Sequence, residues 1–226
     1  MQDYACKIEE NEMIGFYSYT VILTYISLAS AITGMMFACG MYGGVQRPTY
    51  AIVCLMLSGL CDMFDGKIAR TKKNRTDDEK NFGIQIDSLC DVICFGVLPS
   101  VIGYSVGLNS FIDLPVLVLF PLCAVIRLAY FNVTEETRQK NTTALRKTYE
   151  GLPVTSVALI FPLLYSFNKD IGDYFPQVYG SVMLLVAIAF VTKFKVKKPG
   201  LKTMLAFIGV GFLEFLWLVY KTKFEK

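Results

Sequence analysis

The stretch "CDMFDGKIARTKKNRTDDEKNFGIQIDSLCD", residues 61–91, decides the fold. It sets four aspartates, Asp62, Asp65, Asp87 and Asp91, inside two otherwise apolar segments joined by a short charged run. Spacings of three and four place Asp62 with Asp65, and Asp87 with Asp91, on one helical face each. Helices joined by so short a connection are antiparallel neighbours. Counted at 1.5 Å per residue from either side of that connection, both pairs lie roughly 9–15 Å below the inner membrane surface. The four carboxylates can therefore converge.

The remainder of the chain is what makes those carboxylates costly. Of 226 residues, 54% are hydrophobic and only 18% charged, with a mean hydropathy of +0.47; a soluble domain carries about 25% charged residues. Apolar runs long enough to span a bilayer recur along its length, without the two-residue alternation of a β-barrel. The expected fold is an all-α polytopic transmembrane bundle of six to eight spans. Spans are expected at 16–39, 48–70, 81–106, 113–133, 152–168 and 175–192, with a seventh near 201–220. Residues 1–15 contain Asp3, Lys7, Glu9, Glu10 and Glu12, which rules out a cleavable signal peptide and reads as a short interfacial helix. The chain is thus expected to be one integral membrane domain over 1–226, with a lead-in to residue 15, a bundle over 16–192 and a basic C-terminal membrane segment over 193–226.

Charge alternates between the connections. Lys72, Lys73, Arg75 and Lys80 follow the second span, Arg138, Lys140, Arg146 and Lys147 the fourth, and Lys193, Lys195, Lys197, Lys198 and Lys202 the sixth. The intervening loops hold little more than Arg47 and Lys169. Positive-inside orientation puts the basic loops, and the N-terminus, in the cytoplasm. A seventh span would then leave Lys221, Lys223 and Lys226 outside, with Glu214 in its middle, which conflicts with the rule. The basic residues sit in short membrane loops, so nucleic acid is not an expected partner. Seven cysteines, no histidine and no C-x-x-C pair argue against zinc.

Each charge at mid-bilayer costs at least about 2.5–3.5 kcal/mol. Four like charges also repel, and Arg70 alone cannot balance them. Two divalent cations would, and an all-oxygen ligand set favours Mg²⁺ or Mn²⁺, with Ca²⁺ a further hard-cation candidate. Two such ions form a clamp suited to displacement at phosphorus. The same residues would also serve helix packing by pairing with bases, or a proton or cation path through the membrane. Glycines at 59, 66 and 83 beside the acidic faces favour close helix approach or a ligand against the backbone.

Asp62-x-x-Asp65-Gly66-x-x-Ala69-Arg70 followed by Gly83-x-x-x-Asp87-x-x-x-Asp91 resembles the signature of the CDP-alcohol phosphotransferases. The linker between Arg70 and Gly83 is longer than usual for that family, through the extra residues "TDDEK". Within the family, "DSLCDVICFGVLPS" at 87–100, "IRLAYFNV" at 126–133 and "EGLPV" at 150–154 are similar to the phosphatidylserine synthase branch, as is "YISLASAITG" at 25–34. The likeness covers about residues 25–165.

That resemblance implies transfer of the phosphatidyl group from CDP-diacylglycerol to L-serine, giving phosphatidylserine and CMP. It further implies that Asp62 and Asp87 bridge two metals, that Asp65 completes one and Asp91 the other, and that Asp91 is the general base. Gly66 and Arg70 would contact the CDP moiety, with Ser27, Ser30 and Gly83 lining the nucleotide pocket. Arg127 stands alone in the fourth span and is a further substrate-binding candidate, for the donor phosphate or the serine carboxylate. A homodimer in the cell membrane, surrounded by membrane lipids and with its active site facing the cytoplasm, is expected. Inositol phosphate or glycerol phosphate is the rival acceptor. A cation or proton transporter is the rival of another class.

Overall fold

A computed structural model describes residues 15–41, 43–72, 74–141, 148–197 and 201–224. The expected interfacial helix lies almost wholly outside the described residues, as do Arg146, Lys147 and Lys198 in the basic loops. A 3-10 turn, Tyr19–Val21, leads into α1 (Ile22–Ala38), followed by α2 (Pro48–Ala69) and α3 (Asp77–Asp91). A π turn, Val92–Val97, carries α3 directly into α4 (Leu98–Ser105). Then come α5 (Leu114–Asn141), α6 (Val157–Ser166), the single-turn α7 (Asn168–Ile171), α8 (Phe175–Val191) and α9 (Leu201–Phe224). Four stretches, Tyr19–Ala38, Asp77–Ser105, Leu114–Arg138 and Asn168–Val191, are long and apolar enough to cross a membrane on length and composition. The architecture is the all-α polytopic bundle that the sequence calls for.

Local chemistry sets the helix ends. Gly40, at φ +75°, closes α1 in a left-handed turn, with Met41 N–H reaching Met36 O at 3.0 Å and Gly40 N–H reaching Phe37 O at 3.2 Å. That pattern satisfies the last carbonyls of the helix. Pro48 starts α2, where its missing N–H costs nothing. Thr76 caps α3 in a reciprocal box with Glu79, and Asp77, Asp78 and Glu79 fill its positive first turn.

Helices α1 and α2 form the most extensive pair. A Cβ on Gly34 would stand 2.8 Å from that of Cys54, so the two backbones meet at van der Waals range. Helix α2 meets α6 as closely, since a Cβ on Gly59 would lie 2.4 Å from that of Ala158. The core then runs through an aromatic stack: Phe161 lies 4.9 Å from Tyr179 and 5.6 Å from Phe120 between ring centres. The Tyr179 hydroxyl donates to Pro99 O at 3.0 Å, satisfying a buried carbonyl beside the π turn.

Two features depart from the expected spans. Helix α5 runs on to Asn141 rather than ending near 133; the added turns are polar, and Arg138 pairs with Glu135 at 2.6 Å. A two-stranded antiparallel pairing joins β1 (Thr148–Glu150) to β2 (Lys195–Lys197), tying two basic connections together. One of the charges that conflict with a seventh span is paired, whereas Glu214, 9% exposed, keeps a carboxylate oxygen with no hydrogen-bond partner among the described residues. Lys221 is 8% exposed and bonded to Asp170 of α7, with its ammonium over the rings of Phe167 and Trp217. Helix α9 therefore runs from the β2 end of the bundle to the α7 end, packed on α6 and α2, and Lys221 in its last turn is paired there.

Candidate active site

Asp62 and Asp65 sit in the last two turns of α2, and Asp87 and Asp91 in the last two turns of α3, where that helix runs on into the π turn. Asp62, Asp87 and Asp91 each offer a carboxylate oxygen, and these oxygens all lie within 4.8 Å of one another. Asp65, 9% exposed, is Asp62's neighbour one turn along α2 and lies beside this trio. One oxygen of Asp87 is sealed from solvent and finds no hydrogen-bond partner among the described residues. No lysine or arginine among them forms an ion pair with any of the four.

Two ionised carboxylates about 4 Å apart repel by about 4 kcal/mol at an effective dielectric of 20. Such a cluster, with an orphaned oxygen and no basic partner, fits hard divalent cations. The donor set is all oxygen, and the chain has no histidine. Cys94, one turn beyond Asp91, turns its sulfur toward Ser27 Oγ at 3.4 Å instead of offering it to the cluster. The π turn begins at the residue after Asp91. Pro99 has no N–H to return to the carbonyls of the preceding turn, so the helix widens there, as helices often do at functional sites.

The remaining candidate residues fall into three settings. Beside Gly66 there is open space, with nothing within 4 Å of a Cβ built on it, and Arg70 is exposed at the C-cap of α2. Gly83, one turn before Asp87, is covered by the guanidinium of Arg75. Ser27 and Ser30 are buried and donate across to α2, to Ser58 O at 3.2 Å and Cys54 O at 3.0 Å, rather than back into their own helix.

Arg127 is 6% exposed, so its charge does not reach out to the headgroups. Its Nε donates to Leu152 O at 3.1 Å, and its guanidinium lies 5.7 Å from the Phe131 ring centre. It also lines a cavity of about 110 Å³ with Tyr130, Glu150, Phe190 and Lys193. Two further residues join this neighbourhood without having been singled out by spacing. Asn132 Nδ2 donates to Ser88 Oγ at 2.8 Å, locking α5 to α3 beside Asp87, and Arg75 reaches back to Gly83. The unusual length of the linker was the available signal for Arg75.

Comparison with known proteins agrees with this geometry. The CDP-alcohol phosphatidyltransferase pattern matches residues 19–194. The chain is 34% identical over 174 residues to a CDP-diacylglycerol–serine O-phosphatidyltransferase of Saccharomyces cerevisiae, covering 76% of this chain and 55% of the relative. It is 30% identical over 169 residues to the archaetidylserine synthase of Methanothermobacter thermautotrophicus, covering 74% and 63%. A CDP-diacylglycerol–serine O-phosphatidyltransferase of Helicobacter pylori is 36% identical over 139 residues, covering 60% and 53%. The chain thus spans between about half and two thirds of the length of these relatives. Their likeness, the matched pattern and the gathered aspartates lead to one conclusion: the chain belongs to the CDP-alcohol phosphatidyltransferase family.

Proposed function

We propose that the protein transfers the phosphatidyl group of CDP-diacylglycerol to the hydroxyl of L-serine, releasing CMP, on the cytoplasmic side of the cell membrane. The convergence of Asp62, Asp65, Asp87 and Asp91 carries this reading. The names of the relatives support serine as acceptor over inositol phosphate or glycerol phosphate. A homodimer is the proposed assembly, on the family resemblance.

A donor with acyl chains in the bilayer and a charged head carries its pyrophosphate at the depth of the inner interface. The aspartates lie at that depth because the phosphates do. Asp62, Asp65, Asp87 and Asp91 would hold two divalent cations, Mg²⁺ or Mn²⁺, which when bound neutralise the pyrophosphate and stabilise the leaving group. Gly66, bare of a side chain, lets the donor approach the α2 backbone, and Arg70 supplies a positive charge at the mouth. Gly83 lines the nucleotide side of the pocket, with the Arg75 guanidinium resting on it. Ser27 and Ser30 hold the first span against α2 and so fix the wall that the nucleotide borders.

Asp91 is the general base, taking the proton from the serine hydroxyl as its oxygen attacks the lipid-bearing phosphorus. A phosphorus–oxygen bond to serine forms, the bond to CMP breaks, and CMP leaves with the electron pair. Arg127, held by the Gly151–Leu152 turn, is proposed to hold a substrate anion, the serine carboxylate or the donor phosphate.

The test is CMP release by the purified protein from CDP-diacylglycerol, with serine and with the rival alcohols, in the presence of Mg²⁺ or Mn²⁺. Serine-dependent release that Asp91→Asn abolishes is the expected result. Release only with inositol phosphate or glycerol phosphate would overturn the acceptor. Ion flux into liposomes without CMP release would overturn the reaction.

A further inference from the structure

The connection between α2 and α3 carries a cation, Arg75, whose hydrogen bonds go to backbone carbonyls and not to a carboxylate. Arg75 Nη2 donates to Glu79 O at 3.0 Å, and Nη1 reaches Ala69 O at 3.5 Å. The Glu79 carboxylate is already engaged, accepting from Lys72 Nζ at 2.9 Å and from Thr76 N–H at 3.3 Å. Arg75 forms no ion pair among the described residues, and its Nε is sealed from solvent without a hydrogen-bond partner there. The side chain is half-buried, and its sealed Nε–H is a donor left unmatched, which is costly.

The guanidinium rests on Gly83. A Cβ built on that glycine would stand 2.6 Å from Arg75 Nη2, so any larger residue would displace the arginine. Gly83 and Asp87 are four apart and share a face of α3, so the guanidinium lies about 6 Å along the axis from Asp87 and about 12 Å from Asp91. It lies on the cytoplasmic side of them, nearer the charged connection. A donor whose pyrophosphate meets the aspartates sends its acyl chains into the bilayer and its nucleotide the other way, over Gly83.

We propose that Arg75 is a donor-binding residue that grips the CMP half of the substrate, through the phosphate that leaves with cytidine. This rests on the reading above, that CDP-diacylglycerol is the donor. The long linker is what brings the arginine there: Thr76 and Glu79 fix the start of α3, Lys72 ties the strand of chain to Glu79, and Arg75 is folded back between them. A guanidinium offers a planar fork that matches a phosphate edge, and Nη1 and Nη2 each keep a second N–H beyond those given to Ala69 and Glu79.

CMP itself is the probe, because its binding can be read without turnover. Arg75→Ala and Arg75→Lys are compared with the wild type for KM of CDP-diacylglycerol, KM of serine, competitive inhibition by CMP, and the rise in unfolding temperature with CMP. Arg75→Ala is expected to raise the donor KM and the CMP inhibition constant about 10-fold or more, leaving the serine KM unchanged. Arg75→Lys, which keeps the charge but not the fork, should fall between. Should Arg75→Ala not fold, Arg75→Lys decides alone. A folded variant with wild-type CMP affinity overturns the proposal and assigns Arg75 to capping α2. A wild-type protein that binds CMP through Arg75 yet transfers nothing to any alcohol would overturn the reaction while leaving Arg75 as a nucleotide ligand.

Discussion

Ser58 donates its hydroxyl to the carbonyl of Ser27 at 2.9 Å, and Ser27 returns the bond to the carbonyl of Ser58 at 3.2 Å. The exchange clasps α1 to α2 one turn from Asp62, with both side chains buried. Ser58→Ala removes one bond and leaves a buried carbonyl short of a donor. The expected cost is about 1–2 kcal/mol, read as a lower unfolding temperature in detergent, with a raised donor KM because the clasp fixes the wall that the nucleotide borders.

Gly59 and Ala158 form the next contact down the same helix. Gly59→Ala forces a Cβ to within 2.4 Å of another and should cost about 1–3 kcal/mol, because α2 must move away from α6. Activity should fall with it, since Asp62 and Asp65 travel with α2. The double variant Gly59→Ala, Ala158→Gly should recover part of both losses, and strictly additive losses would show that the contact is not the cause.

Repulsion among the four carboxylates makes the metal-free protein less stable than it need be. Asp87→Asn should therefore raise the unfolding temperature in chelator while abolishing CMP release. In the wild type, Mg²⁺ or Mn²⁺ at 100 times its dissociation constant should stabilise by about 2.7 kcal/mol per site, and the variant should lose most of that response. Thermal unfolding with and without chelator measures both.

Asp170 and Lys221 differ in burial, with side chains 54% and 11% exposed. Removing the aspartate strands a largely buried ammonium, whereas removing the lysine leaves a carboxylate that water can solvate. Asp170→Asn should cost about 1–2 kcal/mol and Lys221→Met less than about 1 kcal/mol, discounted for the exposed partner. Both should leave the donor KM alone, because the pair lies at the end of the bundle opposite the aspartates.

The spans and the aspartates were legible because they rest on short-range rules. Hydropathy marked the helices, i,i+3 and i,i+4 spacing aligned the carboxylates, and Arg70 marked the end of α2. What escaped were features that depend on partners distant in sequence. A serine in a membrane helix satisfies itself locally by default, yet Ser27 and Ser30 bond across to α2 because Gly34 lets the backbones meet. The β1–β2 pairing joins segments 45 or more residues apart through backbone groups alone, which no side-chain period announces. Lys221 pairs with Asp170, 51 residues away, a contact that no local spacing announces. The π turn followed from Pro99, a residue whose effect falls on the carbonyls before it.

Anomalous diffraction from crystals grown with Mn²⁺ tests the central claim most directly. Two peaks among Asp62, Asp65, Asp87 and Asp91 are the predicted result. An empty cluster at saturating Mn²⁺, or manganese bound only elsewhere, would contradict it.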